Sequence, residues 1–348
     1  MPPPHPPDIE RVTTFREASE AADAVQRQLE RLPRVPGRPA LRRAARSAMQ
    51  LVTVARGSSD HAATYARYLL ETRLGVPTSS AAPSVASLYA THSHLRGALL
   101  LAISQSGRSP DLLATVHAAR AARACTVALV NDETSPLAAA ADHVVPLSAG
   151  PETGVAATKS FITSLAAIAW LAADWAGDRE LLDALHELPS LLRRAWALDW
   201  SAAVERLRAR ESLYVVGRGF GLAVAQEAAL KLKELCGQHA EAFSSAELRH
   251  GPLALVRAGF PVLAFAQADD AGEDVRALAA ELAARGADVL AAGLDQPGTH
   301  ALPFVPARPE LQPLVHAEAF YRMAIALALA RGHDPDRPAH LSKVTETL

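Results

Sequence analysis

Twice in 348 residues the chain runs from a short apolar segment into an Arg-Gly turn and on into a helix-patterned stretch. Leu51 to Ala55 enters Arg56-Gly57, and Leu213 to Val216 enters Gly217-Arg218-Gly219. After each opening, apolar runs of strand length keep alternating with helical periodicity. In the first half the strand runs are Val76 to Ser80, Ala98 to Ile103, Cys125 to Val130 and His143 to Val145. In the second they are Pro261 to Ala266, Asp288 to Ala292 and a short one near Phe304. Helical stretches are His61 to Leu74, Thr158 to Trp175, Phe220 to Cys236, Gly272 to Arg285 and Leu314 to Arg331, with another opened by Ser109 as N-cap and Pro110 at its first position. Such alternation predicts an α/β fold with parallel sheets covered by helices, and its repetition predicts two tandem three-layer αβα domains. The expected boundaries are a 1–45 extension, a first domain over 46–178, a helical connection over 179–210, a second domain over 211–332 and a 333–348 tail. Within the extension, Ile9 to Leu32 reads as one amphipathic helix closed by Pro33 and Pro36, a candidate clasp for a partner subunit, and Met1 to Pro7 as an extended proline-rich start.

Composition narrows the function. A net charge of −2 and no run of like charges give no field for a polyanion, so nucleic-acid binding is not expected. The forty-odd residues ahead of the first domain are too few, and not basic enough, for a DNA-reading module. No signal peptide or membrane span is read, and Cys125 and Cys236 lie in apolar periodic stretches; a cytoplasmic protein with reduced, buried thiols is expected. The histidines show no paired ligand spacing, so no metal or other cofactor is expected. Of 35 basic residues only Lys159, Lys231, Lys233 and Lys343 are lysine. A chain that uses Arg for ordinary surface charge retains Lys where a guanidinium cannot serve, as in Schiff-base formation or proton loss.

Two stretches carry chemistry. Ser104-Gln105-Ser106-Gly107-Arg108-Ser109 places three hydroxyls and an amide around a glycine turn at a helix start. Backbone N–H groups, the helix dipole and Ser O–H donors hold phosphate in this way, although a serine-rich turn with an N-cap reads the same locally. Gly217-Arg218-Gly219 lacks both the third glycine spacing and the acidic residue of a dinucleotide site. In the second stretch, Glu227, Lys231 and Glu234 fall on one helix face beside Leu230, with Leu232 and Leu235 close by. A carboxylate held between an apolar wall and a cation suits a group that takes and returns a carbon-bound proton.

These stretches, together with Ala55-Arg56-Gly57-Ser58-Ser59, Gly154-Val155-Ala156-Ala157-Thr158-Lys159, His239-Ala240-Glu241-Ala242, Glu247-Leu248-Arg249-His250-Gly251-Pro252 and the tail Leu341-Ser342-Lys343, resemble the sugar isomerase (SIS) family. The resemblance is to the isomerase part of glucosamine-6-phosphate synthase, the glutamine–fructose-6-phosphate aminotransferase, and to stand-alone SIS-type deaminases. It implies two SIS domains and a sugar-phosphate substrate. It further implies that Ser104, Gln105, Ser106 and Ser109 grip the phosphate, that Ser58 and Ser59 accompany them, and that Val155 lies at the substrate. By the same resemblance Glu234 moves the proton between C1 and C2, Lys231 helps that step, and His250 opens the ring from a neighbouring subunit, which implies a homodimer with a shared site. Lys343 matches a lysine on a lid tail that can form an imine with the open-chain ketose, and His239 and Glu241 are read as supports. Two departures stand out: Ala339 replaces a tail Arg, with Arg337 or His340 as possible substitutes, and Ala157 replaces a serine near the substrate.

The synthase's glutaminase domain and its N-terminal cysteine are not seen in this sequence, so the expected net reaction is release of ammonia from an amino-sugar 6-phosphate such as glucosamine 6-phosphate. The alternatives are a deglycase or aldose–ketose isomerase on another 6-phosphosugar, and a non-catalytic sugar-phosphate sensor. Retention of Lys231, Glu234, His250 and Lys343 together argues against the sensor, because holding phosphate requires none of them.

Overall fold

The computed structural model describes residues 9–91 and 93–343; the expectation for Met1 to Pro7 and the last residues of the tail lie outside them. Two five-stranded sheets organise the chain. The first holds β1 (Gln50–Val54), β2 (Thr78–Ser80), β3 (Ala98–Ser104), β4 (Cys125–Val130) and β5 (His143–Pro146). The second holds β6 (Ser212–Gly217), β7 (His239–Ser244), β8 (Pro261–Phe265), β9 (Asp288–Ala292) and β10 (His300–Leu302). Every pairing is parallel. The strand orders are β2-β1-β3-β4-β5 and, read from the other edge, β7-β6-β8-β9-β10. Both are therefore the same doubly wound order, and the faint repeat in sequence is a full repeat in topology.

The residues explain the layers. β3 is buried at every position, as a central parallel strand covered on both faces must be, and its apolar run Ala98 to Ile103 is correspondingly unbroken. On one face of the first sheet Val52, Leu100, Ala128 and Val130 pack with Leu112 and Val116 of helix Pro110–Ala121. On one face of the second, Val216, Val262 and Val289 pack with Val275, Leu278 and Leu282 of helix Asp270–Ala284. By contact the described residues form two compact units. One comprises Asp23–Glu152 and Lys159–Pro189; the other comprises the residues up to Ala22, Thr153–Thr158 and Ser190–Lys343.

Several expectations are corrected. The stretch Ile9 to Leu32 is not one helix but a 3-10 turn (Ile9–Arg11), helix Thr13–Ser19 and helix Ala21–Arg31. The Asp336 carboxylate accepts the Thr13 and Thr14 amides, each at 2.8 Å, and starts the helix afresh at Thr13. β7 escaped the apolar-run reading because it is an edge strand with His239 and Glu241 exposed. The strand sought near Phe304 lies at His300–Leu302, helix Arg38–Ser47 is hidden by its arginines, and Ser245–Leu248 is a short helix inside what reads as a loop. No helix among the described residues is long and apolar enough to cross a membrane.

Helix Gln312–Ala330 buries two titratable side chains whose effects on stability oppose one another. Burial pushes His316 down to about 3, so it stays neutral in the fold. The unfolded chain protonates it below about pH 6.5, and its contribution is lost as pH falls from there towards 3. Glu318 is fully buried, neither of its oxygens has a hydrogen-bond partner among the described residues, and burial holds its carboxyl well above the usual range. The unfolded chain releases this proton above about pH 4.5 while the fold keeps it, so stability falls as pH rises. Glu318→Gln is accordingly expected to raise the melting temperature, with a larger gain at pH 8 than at pH 5; a gain independent of pH counts against a neutral buried carboxyl.

Candidate functional site

In a sheet of this order ligands bind at the carboxyl ends of the two strands that flank the point where the winding reverses. In the first unit those strands are β1 and β3, and their carboxyl ends carry Arg56-Gly57-Ser58-Ser59 and Ser104-Gln105-Ser106-Gly107. Ser58 and Ser59 occupy the first turn of helix Ser58–Leu74, which starts earlier than its periodicity suggested. Gly107 sits at φ 64°, and its amide donates to Ser104 Oγ at 3.0 Å. Ser109 is the N-cap of helix Pro110–Ala121, but its hydroxyl makes no capping hydrogen bond. Arg56 links the two turns through a 2.7 Å ion pair to Asp111, whose side chain is wholly buried in the first turn of that helix. Six of the sequence-named residues, Ser58, Ser59, Ser104, Gln105, Ser106 and Ser109, are thus gathered at one crevice lined with helix starts and hydroxyls, a setting for an anion.

The equivalent crevice of the second unit, between β6 and β8, is filled. Gln267 is buried and donates through Nε2 to the Arg218 carbonyl at 2.9 Å. A Cβ on Gly221 would stand 2.6 Å from Gln267 Oε1. Arg218 turns to Asp274 at 2.7 Å. The glycines of this turn serve internal packing: a Cβ on Gly217 would stand 2.2 Å from the Gly221 carbonyl oxygen.

Helix Gly221–Cys236 carries the acid–base group. Lys231 is buried, and its Nζ lies 2.5 Å from Glu234 Oε2 and 3.4 Å from Glu227 Oε1. Glu227 is wholly buried and accepts the Tyr321 hydroxyl at 3.0 Å, whereas the Glu234 side chain keeps 21% exposure. Burial works against the Lys231 ammonium, but the carboxylates of Glu227 and then Glu234, with the hydrogen bonds to them, outweigh it and hold its pKa above the usual lysine range. The ammonium form of Lys231 is therefore favoured by its two carboxylates. Glu227 is the residue that sequence reasoning placed on the right face without giving it a part. Lys233, on the same helix, is exposed, so lysine scarcity alone did not separate site from surface.

The remaining site residues of the second unit lie on three other segments. Val155 is half-buried in the Thr153–Thr158 loop, and Lys343 is half-buried in the tail. His250 is exposed at the end of the turn after helix Ser245–Leu248. That turn is held from several sides: Ser244 Oγ caps the helix by accepting the Glu247 amide, the Tyr214 hydroxyl donates to the Pro252 carbonyl at 3.2 Å, and Arg249 pairs with Glu281. Gly251 has φ 145° and ψ −55°, a conformation suited to glycine.

Two tandem doubly wound units, with hydroxyls gathered at the strand switch point of one and a buried lysine between two carboxylates in the other, define a class of repeated α/β proteins. The SIS domain profile matches residues 45–173 and 206–292, and the chain belongs to the SIS domain family. It is 36% identical over 301 residues to the glutamine–fructose-6-phosphate aminotransferase (isomerizing) of Methanothermobacter thermautotrophicus, an alignment covering 83% of this chain and 50% of that protein. The chain thus spans about half the length of this relative. Among solved structures, the C-terminal domain of the Francisella tularensis glucosamine-fructose-6-phosphate aminotransferase superposes with a TM-score of 0.86 at 26% identity, over 94% of this chain and 98% of that one. A Silicibacter pomeroyi DSS-3 protein provisionally assigned as a phosphosugar isomerase superposes with a TM-score of 0.87 at 44% identity, over 93% of this chain and all of that one.

Proposed function

We propose that this chain is an amino-sugar-phosphate deaminase of the SIS family, converting glucosamine 6-phosphate and water to fructose 6-phosphate and ammonia. The observation that carries the proton-transfer part is the Lys231–Glu234 contact: a buried lysine whose ammonium form is favoured, beside a carboxyl group that retains a face to solvent. The sugar phosphate is gripped by the turn Ser104 to Ser109 with Ser58 and Ser59. His250 assists ring opening from the neighbouring subunit of a homodimer. Glu234 takes the C2 proton of the open-chain aldehyde and returns it at C1, giving a C1 hydroxymethyl group and a C2 ketimine. Water adds to the ketimine carbon and ammonia leaves. Lys231 keeps Glu234 oriented through both transfers. Val155 borders the sugar, and Lys343 on the tail closes over it.

Burial pushes the Cys236 thiol up to about 12 and raises that of Cys125 as well, so neither takes part in the chemistry of this reading. The decisive experiment is ammonia release from purified protein given glucosamine 6-phosphate, with galactosamine 6-phosphate alongside. Interconversion of aldose and ketose 6-phosphates without ammonia would replace the deaminase with an isomerase.

The phosphate turn has its own test. A Cβ on Gly107 would stand 2.2 Å from Ser135 Oγ and 2.6 Å from Ser135 Cβ, at a backbone φ of 64°. Gly107→Ala is therefore expected to distort the turn and weaken fructose 6-phosphate binding tenfold or more, about 1.4 kcal/mol, in titration calorimetry. Unchanged affinity would remove the turn from the site.

A further inference from the structure

Helix Thr13–Ser19 is gripped at both ends by residues distant in sequence, all within the second unit. At its start, Asp336 Oδ2 accepts the Thr13 amide, and Asp336 Oδ1 accepts both the Thr14 amide and the Thr14 hydroxyl, each at 2.8 Å. The same hydroxyl lies 3.2 Å from the Pro335 carbonyl. Burial disfavours the charged form of Asp336, but the amides and hydroxyls of Thr14 and Thr13 outweigh it and hold the carboxyl below its ordinary range. One turn on, Glu17 points the other way. Its Oε1 accepts the Thr153 amide at 2.6 Å and the Thr153 hydroxyl at 2.8 Å, and its Oε2 accepts the Gly154 amide at 3.0 Å. Both Thr14 and Glu17 are buried. The approach is close enough to dictate the loop residue: a Cβ on Gly154 would stand 2.9 Å from Thr14 Oγ1 and 3.0 Å from Glu17 Oε2. Phe15 packs against Trp196 in a tilted ring pair with centroids 4.8 Å apart, which keeps the helix seated.

We infer that Asp336, Thr14 and Glu17 form a brace that positions the sugar-facing loop and the closing tail through one short helix. The loop continues from Gly154 directly into Val155, and the tail continues from Asp336 to Lys343. Charge suits each joint, since a carboxylate accepting two or three N–H and O–H donors makes charge-assisted bonds that a neutral side chain cannot match. Asp336, Thr14 and Glu17 touch no substrate in this scheme; they are positioning residues. The inference rests on the proposed function only in taking Val155 and Lys343 as groups that meet the sugar.

The test uses Asp336→Asn, nearly isosteric and remote from the loop in sequence, with Glu17→Gln as the second variant. Amide hydrogen exchange is followed at Thr153 and Gly154, and KM and kcat for glucosamine 6-phosphate are measured beside the melting temperature. The brace predicts faster exchange at Thr153 and Gly154 in both variants. It also predicts KM raised tenfold or more with a smaller change in kcat, and a double variant whose KM rises by less than the product of the single effects. Loop exchange unchanged in Asp336→Asn overturns the brace whatever the activity. A KM shift that only follows the unfolded fraction overturns it as well. A wild-type protein inactive on sugar phosphates overturns the functional reading instead, and faster loop exchange in Asp336→Asn would then still support the brace.

Discussion

Glu234→Gln is expected to lower the rate of ammonia release by about 10²–10⁴-fold, the range that a positioned general base contributes. Fructose 6-phosphate binding should stay near wild type, because the phosphate turn is built on other strands. The amide keeps the size of the carboxylate and can still meet the Lys231 ammonium through its oxygen, so the fold is expected to survive. What it loses is the ability to take a proton from carbon. The measurement is kcat with deuterium exchange at C2 of the sugar; exchange without turnover would place the block after proton removal, and turnover within tenfold of wild type would exclude Glu234 as the base.

The second large effect falls on stability. Lys231→Met removes the ammonium that stands 3.4 Å from Oε1 of the wholly buried Glu227, an oxygen that also accepts the neutral Tyr321 hydroxyl. Removing one partner of a buried pair costs about 3–5 kcal/mol, since the abandoned charge has no water to turn to. Chemical denaturation should therefore show a large fall in the midpoint, and neutralising the other partner in Lys231→Met/Glu227→Gln should restore part of it. If the single variant loses less than about 1 kcal/mol, the pair is not the buried electrostatic centre its geometry implies.

The legible part of the fold was the part written in local pattern. β4 and β9 are mainly apolar runs legible to the residue, and the Arg-Gly turns mark the carboxyl ends of β1 and β6. β7 was not legible because an edge strand needs only one apolar face, and here Glu241 and His239 interrupt it. In the candidate site, helical spacing brought Glu227, Lys231 and Glu234 together, since three- and four-residue steps are local. The Tyr321 partner of Glu227 lies 94 residues away, and the Asp336 bonds to Thr13 and Thr14 span more than 300 residues. No periodicity records such pairings. Lysine scarcity pointed to Lys159 and Lys231, both buried, but gave no hint that two carboxylates would favour the Lys231 ammonium.

The way the chain is shared between its two units has a consequence for dissection. Residues 153–158 belong by contact to the second unit, although the segments on either side belong to the first. Cutting the chain at the connection near Pro189 would leave this loop on a fragment that, if it began at Asp23, lacked Glu17 and so left the Thr153 and Gly154 amides without the carboxylate they bond. The complementary fragment would retain Asp336 but lack the helix it caps. Two halves with the same strand order, each resembling a self-sufficient domain, are therefore not separable at a single peptide bond. Limited proteolysis at the connection should yield a nicked protein whose pieces stay together, rather than two independent halves.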